Sequence, residues 1–590
     1  MTRRVLLSFF LLVIAVGCLT RASAPAQQPE QASDKVVPFK TYFDQRIRMR
    51  DGVELAADVY RPDLPGKFAC ILNRTPYLKS SENALNFGRY FAQHGYVFVA
   101  VDVRGRGDSP GSFVPYRHEG QDGYDAVEWC AAQPWSTGKV GTIGGSYNGK
   151  TQWLTAIEQP PHLTTMIALV SPSDPFVEFP TGDPIPIDVS WYYFTSGHVL
   201  QNMDAVAWDA VIHHLPLLTM DEAIGRLMPL WREQFEHTRL DSFWEPERYQ
   251  NKFERVQTPV LHISGWYDDE QVGTPLNFIG MTTKAAPSVR SQQRLLMGPW
   301  PHAVNSTSKL GEVDFGPSAK IDLNATMLRW FDAQLKGIGN GVQSEPPVRI
   351  FVMGSNQWVD EQEWPIARTR YTEFYLHSSG RANTLFGDGK LSTNRPEDKP
   401  QGEKSDLFTY DPQDPVPFIT EPSFEQIGGP DDYRAIERRD DVLVYTSDPV
   451  ASATEVCGPI RVTLYASTTA ADTDFTAKLI DVWPNGFAER LSDGIVRARF
   501  REGMDKENLI HPGTVYEYKI DAWNTCEMFK TGHSIRLEVS SSAFPKYSRN
   551  LNTGEPLGRT ANMVTAHQTI YHDAQHPSHV TLPIVPERAQ

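Results

Sequence analysis

Between residues 41 and 337 short apolar runs alternate with amphipathic stretches; from Val348 onward the chain changes to short runs of alternating polarity. The first regime reads as follows. Residues 45–50 and 53–60 flank Asp51-Gly52, a pair suited to the left-handed backbone of a two-residue turn, and predict a hairpin. Residues 68–72 form a short buried strand. Residues 82–94 place Leu85, Tyr90 and Phe91 at helical spacing and stop at Gly95. Residues 96–101 are apolar throughout, as expected of a strand covered on both faces. A helix over 122–133 precedes a β-branched strand that ends in Gly144-Gly145, and residues 150–157 read as the next helix. Strands alternating with helices predict a parallel α/β sheet.

Residues 172–254 break this rhythm with Pro-rich turns and aromatic-rich helical pieces such as 191–194 and 227–235, which predicts a helical insertion capping the functional edge of the sheet. The sheet resumes at 258–265 and 294–298. An amphipathic helix with Met327, Trp330, Phe331 and Leu335 on one face then stops at Gly337. A Gly/Pro linker spans 338–347. The runs at 348–353, 369–376, 442–446, 460–466, 475–482, 515–520 and 534–540, separated by turns such as Pro484-Asn485-Gly486, predict an all-β sandwich. Residues 386–440 read as polar loop. The expected layout is a signal segment over 1–26, a core over 27–171, a cap over 172–254, the rest of the core over 255–337 and a β domain over 347–586.

A chain of 590 residues has ample length for several cores, and its net charge of −16 argues against nucleic-acid binding, which needs a basic face. The N-terminus changes the picture more. Arg3-Arg4, an apolar run over 5–17 and the small residues Ala22-Ser23-Ala24-Pro25-Ala26 have the form of a cleaved export signal, the run being too short to span a bilayer comfortably. Gly17-Cys18 offers the alternative of lipid attachment at Cys18, the one route by which the chain would engage a membrane. Of five cysteines none has metal-ligand spacing, and an exported chain permits a disulfide, for which Cys457 and Cys526 are the candidate pair against the alternative of free buried thiols.

The chemistry centres on Gly144-Gly145-Ser146-Tyr147-Asn148-Gly149, where a strand meets a helix around a serine flanked by glycines. Such a turn projects the hydroxyl above the sheet edge as a nucleophile. Serine needs a base, and the base needs a carboxylate to orient it. Asp268 follows one later strand and His302 the next, in the chain order Ser…Asp…His of α/β-hydrolases, although Asp269 competes with its neighbour. The expected oxyanion donors are the backbone N–H of Tyr147 and the phenol of Tyr77, in the loop after the 68–72 strand. His213, His214 and His237 read as surface or packing residues of the cap.

Arg74-Thr75-Pro76-Tyr77, Asp102-Val103-Arg104-Gly105-Arg106-Gly107, the serine motif, Gly265-Trp266-Tyr267-Asp268 and Gly298-Pro299-Trp300-Pro301-His302 together resemble the X-Pro dipeptidyl-peptidase / cocaine-esterase-like serine hydrolases, which include α-amino-acid ester hydrolases. The segments 472–475, 493–499 and 532–542 are similar to that family's C-terminal jelly roll. The resemblance implies an α/β-hydrolase core with a helical cap and an all-β jelly-roll domain, Ser146 as nucleophile, His302 as base, Asp268 as its partner, Tyr77 as oxyanion donor, and an acyl-enzyme route to ester or amide cleavage without metal or cofactor. α-Amino-acid ester hydrolases hold the substrate ammonium with carboxylates two and three residues past the catalytic Asp. Here these positions are Glu270, which matches, and Gln271, which does not; Asp183 or Asp188 of the cap could supply another carboxylate. The implied partners are small esters, amides or short peptides, with a preference for a free α-amine. Ester hydrolase and X-Pro dipeptidyl-peptidase remain alternatives, and a glycan- or partner-binding protein with a relic hydrolase core is the rival of another class.

Overall fold

The computed structural model describes residues 36–398, 403–420 and 427–587. The expected export signal, its cleavage sites and Cys18 lie outside the described residues. Among these residues no helix is long and apolar enough to cross a membrane.

The expected hairpin is β1 (Phe39–Arg48) and β2 (Glu54–Pro62), with Gly52 of the Asp51-Gly52 turn at φ +91°. The following units are β3 (Phe68–Thr75), α1 (Glu82–Gln93), β4 (Val97–Asp102), α2 (Glu119–Ala132), β5 (Ser136–Gly145), α3 (Tyr147–Ile157) and β6 (Leu163–Leu169). The helix read at 150–157 therefore begins three residues earlier, directly after Ser146. Strand β6 has no counterpart in the sequence reading, because it follows the helix after a short turn and is shorter than a clear period needs. Short helices α4 (Asp188–Phe194), α5 (Trp208–Ile212), α6 (Met220–Ile224) and α7 (Pro229–Gln234) make up the insertion. The core returns with β7 (Val260–Gly265), α8 (Gly273–Thr283) and β8 (Arg294–Gly298). A small ribbon, β9 (Lys309–Leu310) and β10 (Val313–Asp314), precedes α9 (Leu323–Phe331).

Strands β11 (Val348–Val352) and β12 (Gln357–Glu361) correct one expectation. The pattern of the 348–353 run predicts a sandwich strand, yet β11 pairs in parallel with β8, so these strands complete a ten-stranded sheet ordered β1-β2-β4-β3-β5-β6-β7-β8-β11-β12. A fully apolar strand satisfies the interior of either sheet, so its polarity could not place it. From β3 to β8 the neighbours β4, β3, β5, β6, β7 and β8 are parallel, so their carboxyl ends share one edge. Phe91, Phe98, Ile143, Ile263, Trp330 and Phe331 pack the face covered by α1 and α9.

The second domain contains β13 (Arg370–His377), β14 (Lys390–Ser392), β15 (Asp406–Tyr410), β16 (Leu443–Thr446), β17 (Thr454–Thr468), β18 (Asp474–Val482), β19 (Ala488–Arg497), β20 (Tyr516–Phe529), β21 (Ser534–Ser540), β22 (Ala566–Tyr571) and β23 (His579–Val585). Its largely antiparallel sheet wraps an apolar interior that includes Tyr410, Leu464, Phe475, Leu479 and Leu537. Strands β14 and β15 fall inside the segment read as polar loop. Cys457 and Cys526 lie opposite each other in the β17–β20 register and are disulfide-bonded, whereas Cys70 and Cys130 are free and buried.

Candidate active site

Three strand ends build the site. At the first, Ser146 joins β5 to α3 with φ +58° and ψ −130°, a conformation costly for a residue with a side chain and held by its surroundings. Its backbone N–H donates to the carbonyls of Leu169 and Val170 at the end of β6. The flanking glycines are steric requirements: a Cβ on Gly144 would meet Asn148 Cβ at 2.5 Å, and one on Gly149 would meet the Leu169 carbonyl at 2.8 Å. Tyr147 is the first residue of α3, so its N–H has no partner within the helix and remains free for an anion above Ser146.

The loop after β7 carries Asp268 and the loop after β8 carries His302. His302 Nδ1 lies 2.7 Å from Asp268 Oδ1, whose other oxygen accepts from Ser264 Oγ at 2.7 Å. The neighbouring Asp269 also approaches Nδ1, at 3.3 Å. The shorter contact and the deeper burial single out Asp268 as the orienting carboxylate, and Asp269 as a second charge beside the same ring. Burial works to lower the His302 pKa, but the charges of Asp269 and Asp268 overcome it and raise the ring well above the ordinary histidine value. These three residues bring carboxylate and imidazole atoms within 4.8 Å, a spacing that metal-ligand sets share. Within that set His302 Nδ1 and Asp268 Oδ1 are hydrogen-bonded to each other, the pairing that orients an imidazole.

A base works only when neutral, so activity should fall as pH drops through the raised His302 pKa. Asp269→Asn removes one of the charges that raise it. The acid limb of the kcat/KM profile should therefore move to lower pH, by about one unit, with the alkaline plateau retained. An acid limb that stays in place would show that Asp269 does not act on the ring.

Tyr77 reaches the site from the loop after β3. Trp191 Nε1 donates to its phenol oxygen at 3.0 Å, which leaves the phenol proton free to be donated. Burial raises the Tyr77 pKa and keeps that proton in place, while hydrogen bonding to Trp191 and Ser146 counteracts part of the shift. The Arg106 guanidinium, fully buried, fixes this geometry: its Nε donates to the Pro76 carbonyl at 2.8 Å and its Nη1 to the Thr195 carbonyl at 2.7 Å. The glycine loop after β4 thus ties the Tyr77 loop to the end of α4, a role its sequence did not disclose. The Tyr147 side chain turns the other way and donates to Glu119 Oε1 at 2.8 Å.

A cavity of about 490 Å³ opens on Ser146, His302 and Tyr77 beneath the cap. Asp174, Glu178, Asp183, Asp188, Glu247, Asp269 and Glu270 line it, against a single lysine among the described residues, Lys150, which lies 3.9 Å from Glu247. Most of these carboxylates are engaged. Asp183 takes hydrogen bonds from Arg497 Nη1 at 2.6 Å and Ser548 Oγ at 2.7 Å, both from the β domain. Glu178 accepts from the Ser173 N–H at 2.6 Å. The Asp188 carboxylate has no hydrogen-bond or ion-pair partner among the described residues, and Glu270 Oε2 is buried without one. Burial, reinforced by Asp269, pushes Asp188 up to about 7, and burial raises Glu270 well above the usual carboxylate range. Of the two cap candidates Asp188 is therefore the open one, and Asp183 is a structural clamp. Gln271 is not in the cavity at all: its amide faces the β domain, where Asn524 N–H donates to Oε1 at 3.3 Å. His213, His214 and His237 lie away from the site, packed on Phe544, bonded to Thr219 and stacked on Phe243 respectively.

Comparison with known proteins places this geometry among hydrolases. Residues 51–304 match the model of the X-Pro dipeptidyl-peptidase (S15 family), and residues 340–581 match the X-Pro dipeptidyl-peptidase C-terminal non-catalytic domain. A cocaine esterase of Rhodococcus sp. (strain MB1 Bresler) is 37% identical over 576 residues, covering 91% of this chain and 97% of that protein. Among solved structures, an α-amino acid ester hydrolase superposes with a TM-score of 0.80 at 25% identity, over 95% of this chain and 100% of that one. An aminopeptidase from the marine sediment archaeon Thaumarchaeota archaeon shares the fold with a TM-score of 0.82 at 24% identity, over 95% of this chain and 99% of that one.

Proposed function

The chain belongs to the X-Pro dipeptidyl-peptidase (S15) and cocaine-esterase family of serine hydrolases, and from that premise we propose that it cleaves esters or amides whose acyl group carries a free α-amine, through an acyl-enzyme on Ser146. Membership in this family removes the non-catalytic binding protein as a rival. In the proposed reaction His302 takes the Ser146 proton as Oγ attacks the carbonyl carbon. Asp268 holds the Nδ1–H and stabilises the imidazolium that forms. The Tyr147 N–H and the Tyr77 hydroxyl receive the oxyanion. His302 then protonates the leaving alcohol or amine, and water, deprotonated by the same ring, releases the acid.

The observation that carries the substrate reading is the pair of unpartnered carboxylates, Asp188 and Glu270, in the cavity that opens on Ser146. An unpaired buried carboxyl is costly, and a bound ammonium would relieve that cost while restoring its charge. Export from the cytoplasm is part of the proposal; its support is the N-terminal pattern together with the Cys457–Cys526 disulfide, and N-terminal sequencing of the mature protein tests it.

The test is a matched panel: p-nitrophenyl butyrate, an α-amino-acid ester, an X-Pro dipeptide anilide and an ampicillin-type amide. Free-amine substrates are expected to lead. Glu270→Gln should lower kcat/KM for the amino-acid ester by about 30-fold, the effect of losing one charged hydrogen bond, and change the butyrate far less. An unchanged ratio between the two substrates overturns the ammonium reading. Turnover of the anilide makes the enzyme a dipeptidyl-peptidase.

A further inference from the structure

A second cavity, of about 970 Å³, meets the carboxylate-lined one at the nucleophile. Both are lined by Tyr77, Ser146, Trp191, Phe194 and His302, so the scissile bond sits at their junction. Their chemistry differs sharply. The second is walled by Phe87, Leu200, Val304, Ile321, Leu323 and Met327. His302 aside, Asp322 is the only acidic or basic side chain lining it among the described residues, and its carboxylate already caps α9 by accepting from the Ala325 N–H at 2.9 Å. Phe87, Val304, Ile321 and Leu323 pack against the sheet's main apolar core, which fixes the wall in place.

The position of the histidine decides which part of the substrate enters. The leaving group takes its proton from the catalytic imidazole and so must depart on the histidine's side. Ala303, Val304 and Asn305, directly after His302, line the second cavity and not the first. We propose that this cavity is the leaving-group site and that it takes a bulky, uncharged, apolar alcohol, so that the preferred ester has its cation on the acyl side and its apolar mass on the alcohol side. The inference rests on the acyl-enzyme reading given above and extends it. When the tetrahedral intermediate collapses, the bond between the carbonyl carbon and the alcohol oxygen breaks. Its electron pair leaves with that oxygen, which takes the proton from His302 Nε2, and the acyl group stays on Ser146 Oγ. The neutral alcohol released faces the apolar side chains named above, with uncharged amides such as Asn73, Asn148 and Asn305 on the same lining.

Four esters test this with the full-length mature enzyme: the methyl and cyclohexylmethyl esters of phenylalanine and of 3-phenylpropionic acid. The two alcohols are both primary and differ mainly in apolar bulk. At about 0.8 kcal/mol per buried methylene, partial burial of the ring should raise kcat/KM for the cyclohexylmethyl ester at least about 30-fold over the methyl ester, in both acyl series. Leu323→Asp places a charge in the wall and should reduce that ratio about tenfold or more, while the preference for phenylalanine over 3-phenylpropionate is kept. Phe87→Gln, on the half-buried face of α1, provides a second variant whose fold does not depend on α9, and it should reduce the ratio in the same direction. Equal rates for the two alcohols in the wild type overturn the inference even if the amine preference stands. An alcohol preference without an amine preference supports this site and overturns the ammonium reading instead. A wild-type alcohol preference untouched by both variants also overturns the assignment to this cavity.

Discussion

Ser146→Ala is expected to lower kcat by about 10⁶-fold and to leave the fold intact. The loss should be that large because in the proposed mechanism His302, Asp268 and the oxyanion donors act through the serine; without it they have no nucleophile to activate. The fold should survive because the position's demands are on its backbone. The left-handed conformation at φ +58°, the N–H bonds to Leu169 and Val170, and the glycines around it are all retained by alanine. Thermal unfolding of the variant should match the parent within a few degrees, and a fluorophosphonate probe should label only the parent. Normal turnover by the alanine variant would falsify the assignment of the nucleophile.

Arg497→Met should be the most destabilising single change of those considered, at about 3–5 kcal/mol. Arg497 is fully buried and pairs with Asp474 through Nε at 2.9 Å and with Asp183 through Nη1 at 2.6 Å; it also donates to the Thr181 and Ser548 carbonyls. Removing the guanidinium strands two buried carboxylates. Asp474 belongs to the β domain and Asp183 to the cap segment that leads into α4, where Asp188 and Trp191 stand in the active-site cavity. The variant should therefore show two effects: a lower unfolding midpoint, and a higher KM for amino-acid esters. A variant of unchanged stability would mean that water or a neighbouring cation replaces the guanidinium at no cost.

The placement of the proposed triad was legible from sequence for a physical reason. Ser146, Asp268 and His302 each follow a strand of a parallel sheet, and parallel strands deliver their ends to one edge. The same logic failed at β11, where a fully apolar strand fits either sheet, and at β6, where seven residues after a short turn gave no period to read. Tyr77 could be placed because it follows a strand, but the tryptophan that orients it lies in the cap, among short helices whose packing has no sequence period. Local motifs likewise showed that Arg106 and Arg497 sit in marked segments without showing what they clamp, because their partners are about ninety and three hundred residues away. That Asp183 is engaged and Asp188 open shows only in the partners that Asp183 finds in the β domain.

The direction of Gln271 has a consequence for redesign. A carboxylate placed at position 271 by Gln271→Asp, next to Glu270 in sequence, would not add a charge to the cavity. The side chain at this position points instead at Asn524, on a strand of the other domain, so the new carboxylate would face that strand's backbone carbonyl and weaken the seam between the domains. Selectivity in this scaffold is better altered from α4, where a residue can be changed without touching the joint.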